Sequence, residues 1–228
     1  MDRVKTGISG LDEMLSGGIP AKRHVALYGG PGAGKTSFSF EYLYRGAKAG
    51  ENGLYISLEE TKEDIIENMK NTFTLIRDID ELVEENKLII VKPDKLELEE
   101  VANLLEENIT EHSVKRAVID SATMIRLSFQ KEIEYRQTLF EFLSLLRNLD
   151  CTTMTTVEAT TANKSEMHFD IEHFVMDGII NIYNLDKEDR RIRALEIFKM
   201  RGTDHSRDLV PFKVTPQGIK VYVGEKVF

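Results

Sequence analysis

Residues 29–36 read GGPGAGKT, a glycine-rich run closed by a lysine and a threonine. Glycines at 29, 30, 32 and 34 let the backbone curl so that successive N–H groups point inward, which makes a cup for an anion. A helix starting directly after the run adds the partial positive charge of its N-terminus. Gly30, Pro31, Gly32, Ala33, Gly34, Lys35, Thr36 and Ser37 are therefore the predicted phosphate-binding residues. Lys35 would reach the β and γ phosphates of a nucleotide as a point charge, and the Thr36 hydroxyl would ligate Mg2+. The alternative, a chance glycine-rich loop, needs the glycines, the lysine, the threonine and both flanking elements to coincide.

Such a loop binds phosphates but does not by itself cleave them, so carboxylates within reach matter next. Asp120 closes the apolar run AVID, and in an open parallel sheet the carboxyl ends of the strands face the ligand crevice. It is expected to hold Mg2+ through water, with a helix N-cap as the other reading. Glu59 and Glu60 close GLYISL in the same manner. Adjacent strand residues face opposite ways, so one of the two should look at the γ phosphate. Glu59 is the expected base that orients and deprotonates water, with Glu60 in support. Alternatively both acids favour the start of the following helix through its dipole.

These groups need strands and helices to place them. HVALYGG is a short apolar run of the kind a buried parallel strand makes, and residues 35–49 then carry apolar groups at roughly helical spacing up to Gly50. Strands are predicted at GLYISL, at 88–93, 117–120 and 152–157, with helices beginning near Thr61 and over 96–109 and 134–149. After residue 175 the pattern changes to closely spaced strands, GIINIYNL, RALEIFKM, VPFKVT and GIKVYV, which look antiparallel. The predicted fold class is α/β, a mostly parallel central sheet flanked by helices with C-terminal antiparallel strands. No composition shift marks a boundary, so residues 1–228 are read as one domain.

Hydrophobic residues make up 41% and charged residues 30% of the 228, which supports a packed core. A net charge of −9 repels nucleic acid and anionic membrane as whole-protein partners. The single cysteine, Cys151, cannot form an internal disulfide and reads as a buried structural thiol, fitting a reducing cytoplasm. No stretch reaches the roughly 20 apolar residues of a bilayer span, and the N-terminus lacks an apolar signal core. A cytoplasmic location is expected.

TGISGLDEMLSGGIP, GGPGAGKT, the strand ending in LEET, AVIDS and above all KMRGTDH at 199–205 together resemble a single KaiC-like domain of the RecA superfamily, over about residues 6–223. The resemblance implies a RecA-like P-loop core that binds ATP and Mg2+ in a ring, usually a homohexamer, with the nucleotide between neighbours. It also implies that Lys199 and Arg201 act in trans on the γ phosphate of the next subunit. Thr203, His205 and Arg207 would lie close to the same nucleotide. On a strand Lys199 and Arg201 project from one face, as a shared target requires; an edge-strand charge pair is the other reading. Thr155 and Thr156 match a family strand whose polar side chain can sense the γ phosphate, and β-propensity accounts for them equally. The clock protein of that name has two such domains, so neither its circadian role nor its phosphorylation sites carry over to one.

Three functions follow from this reading. The first is a regulatory ATPase ring whose nucleotide state alters its affinity for a protein partner. The second is a RadA-like recombinase paralogue acting on single-stranded DNA, for which basic loops with stacking aromatics are needed. Residues 121–134 offer Arg126, Phe129 and Lys131, and residues 159–170 offer Lys164 and His168, both weak grips. The third is a nucleotide-binding scaffold that turns over too slowly to matter; an autokinase, with a neighbouring hydroxyl replacing water as the acceptor, is a variant of the first.

Overall fold

The short apolar runs become strands of one sheet, and the amphipathic segments between them become its cover. The computed structural model describes residues 2–159, 169–187 and 190–227 of the chain. In chain order the elements are β1 (Arg3–Val4), α1 (Leu11–Met14), β2 (Ile19–Pro20), β3 (His24–Gly29), α2 (Lys35–Lys48), β4 (Gly53–Ser57) and α3 (Lys62–Thr72). A 3-10 turn (Thr74–Ile76) leads to α4 (Ile79–Glu84), β5 (Leu88–Val91), α5 (Leu98–His112), β6 (Arg116–Asp120), α6 (Ala122–Arg126) and α7 (Glu132–Leu146). Then come β7 (Thr152–Glu158), α8 (Ile171–Val175), β8 (Gly178–Lys187), β9 (Arg190–Met200), β10 (Val210–Thr215) and β11 (Gly218–Val221).

Nine strands form the main sheet in the order β11-β10-β9-β8-β3-β7-β6-β4-β5. Every pairing from β5 through to β8 is parallel, and those from β8 to β11 are antiparallel. The first strand of the C-terminal run thus differs from the sequence expectation. GIINIYNL pairs in parallel with β3, and only its other edge opens the antiparallel extension. Strand spacing in the sequence reports hairpins but not which older strand a new one joins.

Side-chain alternation divides the core between two faces. Tyr55, Val118 and Met154 point to one side, where α2, α3 and α4 pack, while Leu54, Ile56, Ala117 and Ile119 point to the other, under α5 and α7. The strands therefore read as continuous apolar runs because both faces are covered. α3 starts where Thr61 accepts a hydrogen bond from the Asp64 amide, a local cap visible in the sequence. Cys151 is buried and burial pushes its thiol up to about 12, which makes it an inert part of the second core.

β3 also carries His24, whose Nδ1 meets Thr153 Oγ1 at 2.7 Å. Burial first, then the Arg147 and Arg23 charges, outweigh Asp177 and lower its pKa from 6.5 to about 4. The unfolded chain takes up this proton at a higher pH than the folded one, so stability is lost as pH falls below 6.5 toward 4. Going from pH 7 to pH 5 should cost about 2 kcal/mol through this group alone. Urea unfolding at both pH values checks it: His24→Gln should lose less stability over that interval than the parent, and an equal loss contradicts the assignment.

Candidate functional site

The phosphate loop sits between β3 and α2 at the carboxyl end of the parallel strands. Its shape depends on glycine at two positions, Gly32 at φ +70° and Gly34 at φ +100°. A Cβ at Gly29 would come within 2.6 Å of Ile182 Cγ1, so that glycine is fixed by strand packing instead. A Cβ at Gly30 or Gly32 would meet nothing within 4 Å, which is the room a chain of phosphates needs above the amides. Pro31 and Gly32 are exposed, Ala33 is buried beneath them, and Ser37 lies half-buried in the first turn of α2. Lys35 Nζ lies across the loop, donating to the Gly29 and Gly30 carbonyls at 2.9 and 3.4 Å.

Thr36 Oγ1 donates to Asp120 Oδ2 at 2.9 Å, so the two residues expected around Mg2+ already meet. The Tyr55 hydroxyl donates to the same oxygen, and the Thr156 hydroxyl to Asp120 Oδ1. A hydroxyl and one carboxylate, with phosphate oxygens and water for the rest, is the hard-oxygen set Mg2+ accepts. The residues therefore fit the ion, with Thr36 and Asp120 as its holders. Thr156 turns toward the carboxylate, whereas Thr155 is buried on the other side of β7 against Ile119 and Leu139. Burial, and then the Asp120 charge, push the Tyr55 phenol well above its ordinary value, which keeps it a proton donor to that carboxylate.

Glu59 and Glu60 separate, but not by strand alternation. β4 ends at Ser57, and the two acids lie in the turn beyond it. Glu59 remains exposed and accepts from Ser121 Oγ at 2.9 Å, directly beside Asp120. Glu60 turns to α3 and accepts from Asn68 Nδ2 at 2.7 Å.

Lys199 and Arg201 lie elsewhere. In the β3–β8–β9 ladder, Gly29 stands level with Ile182 and Leu195, while Lys199 pairs with Ile179 and Met200 with Gly178, next to Val25. That is about 13 Å along the strands from the start of the phosphate loop, at the opposite end of the parallel array. β9 ends at Met200, so Arg201 lies in the turn beyond the strand and not one alternation on, yet both cations reach the same segment, α8. Lys199 Nζ donates to the His173 and Met176 carbonyls at 2.9 and 2.7 Å, and Arg201 to the Phe174 carbonyl at 2.8 Å. Burial, followed by the Arg201 charge, lowers the Lys199 pKa. Thr203 accepts from Arg3, His205 Nδ1 lies 2.8 Å from the Ser206 carbonyl, and Arg207 is exposed on the same connection. None of the five is brought to the chain's own loop.

Arg193 is a cation that sequence reasoning missed. It projects from β9, where it pairs with Asn184, and donates to the Gly32 carbonyl at 3.2 Å. Its position follows from the β8–β9 register, which no local spacing reveals. The weak nucleic-acid grip at 121–134 is largely engaged within the chain. Arg126 pairs with Asp170 at 2.9 Å, Phe129 packs on Tyr135 and Lys131 pairs with Glu134 at 3.1 Å. Lys164 and His168 fall outside the described residues. Among the described residues no helix is long and apolar enough to cross a membrane.

A parallel sheet carrying GGPGAGKT between its strand β3 and helix α2, with Asp120 at the end of a neighbouring strand, defines a RecA-like P-loop core. The chain belongs to the KaiC-like ATPase family, whose model, described as ATPase: KaiC, matches residues 4–226. A UPF0273 protein of Thermotoga maritima is 35% identical over 240 residues, covering 98% of this chain and 97% of that protein. A UPF0273 protein of Pyrococcus horikoshii is 35% identical over 237 residues, covering 96% and 94%. The circadian clock oscillator protein KaiC of Synechococcus elongatus is 32% identical over 231 residues, covering 96% of this chain but 44% of that protein.

Proposed function

We propose that this chain hydrolyses ATP with Mg2+ in a ring of identical subunits, each nucleotide lying at a seam and completed by Lys199 and Arg201 of the neighbour. The reading extends to a homohexamer in a reducing cytoplasm whose nucleotide state sets its affinity for a protein partner. The observation that supports it most is the separation of the two halves of the site. The cations reach one segment, α8, but sit at the wrong end of the sheet to reach their own loop, so a second chain's phosphates are the target left to them.

The surface around Arg201 suits such a contact. A groove of about 600 Å3 there is lined by Ile133, Arg136, Phe140, Arg147, Phe174 and Arg201. Ile133, Phe140 and Phe174 are each more than half exposed, an apolar patch that a second copy would cover.

The loop amides and Lys35 bind the β and γ phosphates, and Thr36 and Asp120 hold the ion. Mg2+, when bound, neutralises charge developing on the phosphate oxygens. Glu59, aimed by Ser121, orients a water and takes its proton as the water oxygen attacks the γ phosphorus; ADP leaves and inorganic phosphate is formed. Lys199 and Arg201 of the neighbour stabilise the charge on the transferred group.

Molar mass by light scattering, with phosphate release, tests this reading. ATP and Mg2+ should raise the mass to a fixed multiple of 26.0 kDa and turnover per chain should rise with protein concentration. A monomer that turns over ATP at a concentration-independent rate contradicts it.

A further inference from the structure

The contacts of Lys199 and Arg201 lead to a segment whose Phe174 lines the groove but whose buried side chains have no part in the scheme above. All three carbonyls that receive them belong to α8 and the residue after it. α8 is only five residues long, too short to hold a place by its own helical bonds. A capping box of Asp170 and His173, with Arg126 on Asp170 at 2.9 Å, starts it, and a buried carboxylate anchors it. Glu172 is 0% exposed, and its oxygens accept from the Tyr28 hydroxyl at 3.2 Å and the Tyr135 hydroxyl at 2.6 Å, with Arg126 at 4.0 Å. Burying a charge in this way is costly, and an apolar side chain could fill the space. What the carboxylate adds is direction, because two phenols from different elements fix where α8 lies.

One of these phenols comes from the strand that leads into the phosphate loop. Tyr28 is the residue before Gly29, and its ring also lies on His173 of α8 at 4.3 Å between centroids. At the other end the segment closes against the start of the same strand, where the Asp177 amide donates to the His24 carbonyl at 2.9 Å. Asp177 further faces Arg23, Arg147 and Arg201 at 3.6 to 3.8 Å. Residues 170–177 thus run the length of β3, from the phosphate end to the end where the cations are offered.

We propose that Glu172 is a positioning residue for the Lys199 and Arg201 that a chain lends to its neighbour, acting through α8. The proposal rests on the shared-site reading. A misplacement of about 1 Å at a catalytic group costs up to ~10²-fold in rate, so loss of this anchor should appear in kcat.

The test uses mixtures of two chains. A Lys35→Ala chain holds no productive nucleotide but lends intact cations; an Arg201→Ala chain holds nucleotide but lends no guanidinium. Equimolar mixing should restore turnover well above either alone, and a failure to restore any overturns the shared site and the proposal with it. Given restoration, Glu172→Gln is then added to one chain at a time. On the lending chain it should lower kcat of the mixture about tenfold with KM for ATP changed less than about twofold; on the holding chain kcat should stay within about twofold. Equal losses from both placements, or none from either, overturn the proposal while leaving the shared site standing. Tyr135→Phe, which keeps the ring and removes one hydroxyl, serves as the second variant. It should show the same asymmetry at smaller size with an unchanged ATP-dependent molar mass, and a symmetric effect contradicts the positioning role.

Discussion

Arg201→Ala is expected to lower kcat for ATP hydrolysis by about 10³-fold or more while ATP is still bound and the ring still forms. The magnitude follows from where charge develops. In phosphoryl transfer the negative charge spreads over the γ oxygens in the transition state, and a guanidinium supplied from a neighbour meets it there rather than in the ground state. Binding survives because the loop amides, Lys35, Thr36 and Asp120 are untouched. The folded chain loses little, since the Arg201 side chain is 44% exposed and bonds one carbonyl and the Asp177 carboxylate. Stopped-time phosphate release beside a nucleotide-binding titration checks the split, and unchanged turnover contradicts the role given to Arg201.

The second large effect is expected at Glu59. Glu59→Gln should reduce kcat by about 10² to 10⁴-fold, the range a positioned base contributes, with ATP affinity kept. Glu60→Gln should cost far less, because its carboxylate is turned to Asn68 on α3 and not to the residues around Asp120. The pair of variants is more informative than either alone. Equal losses at both positions contradict the assignment of the proton to Glu59, and so does full activity in Glu59→Gln.

Much of this was legible in the chain because the phosphate loop is a local device. Its glycines, its lysine and the elements on either side are consecutive residues, and the Gly32 and Gly34 dihedrals require what the spacing promised. Strand and helix positions were legible for the same reason, since burial on both faces leaves unbroken apolar runs such as VALY and AVI. Sheet order was not, because β8 joins β3 across 153 residues of chain, as Val25 pairs with Gly178. Glu59 and Glu60 were expected to diverge through strand alternation, but they diverge because the strand stops at Ser57 and two different side chains capture them. Arg193, Tyr28, Tyr55 and Glu172 carry no local signal at all. Each acquires its place from a partner 65 to 161 residues away.

The central claim is that one chain's phosphate loop is completed by another chain's cations. A crystal structure with Mg2+ and a non-hydrolysable ATP analogue measures it directly. The account predicts the γ phosphate within hydrogen-bond distance of Lys199 and Arg201 from the adjoining copy, with Thr36 and Asp120 of the first copy around the ion. A triphosphate enclosed by a lone protomer, its γ phosphate remote from every other chain's 199–201 strand, contradicts it.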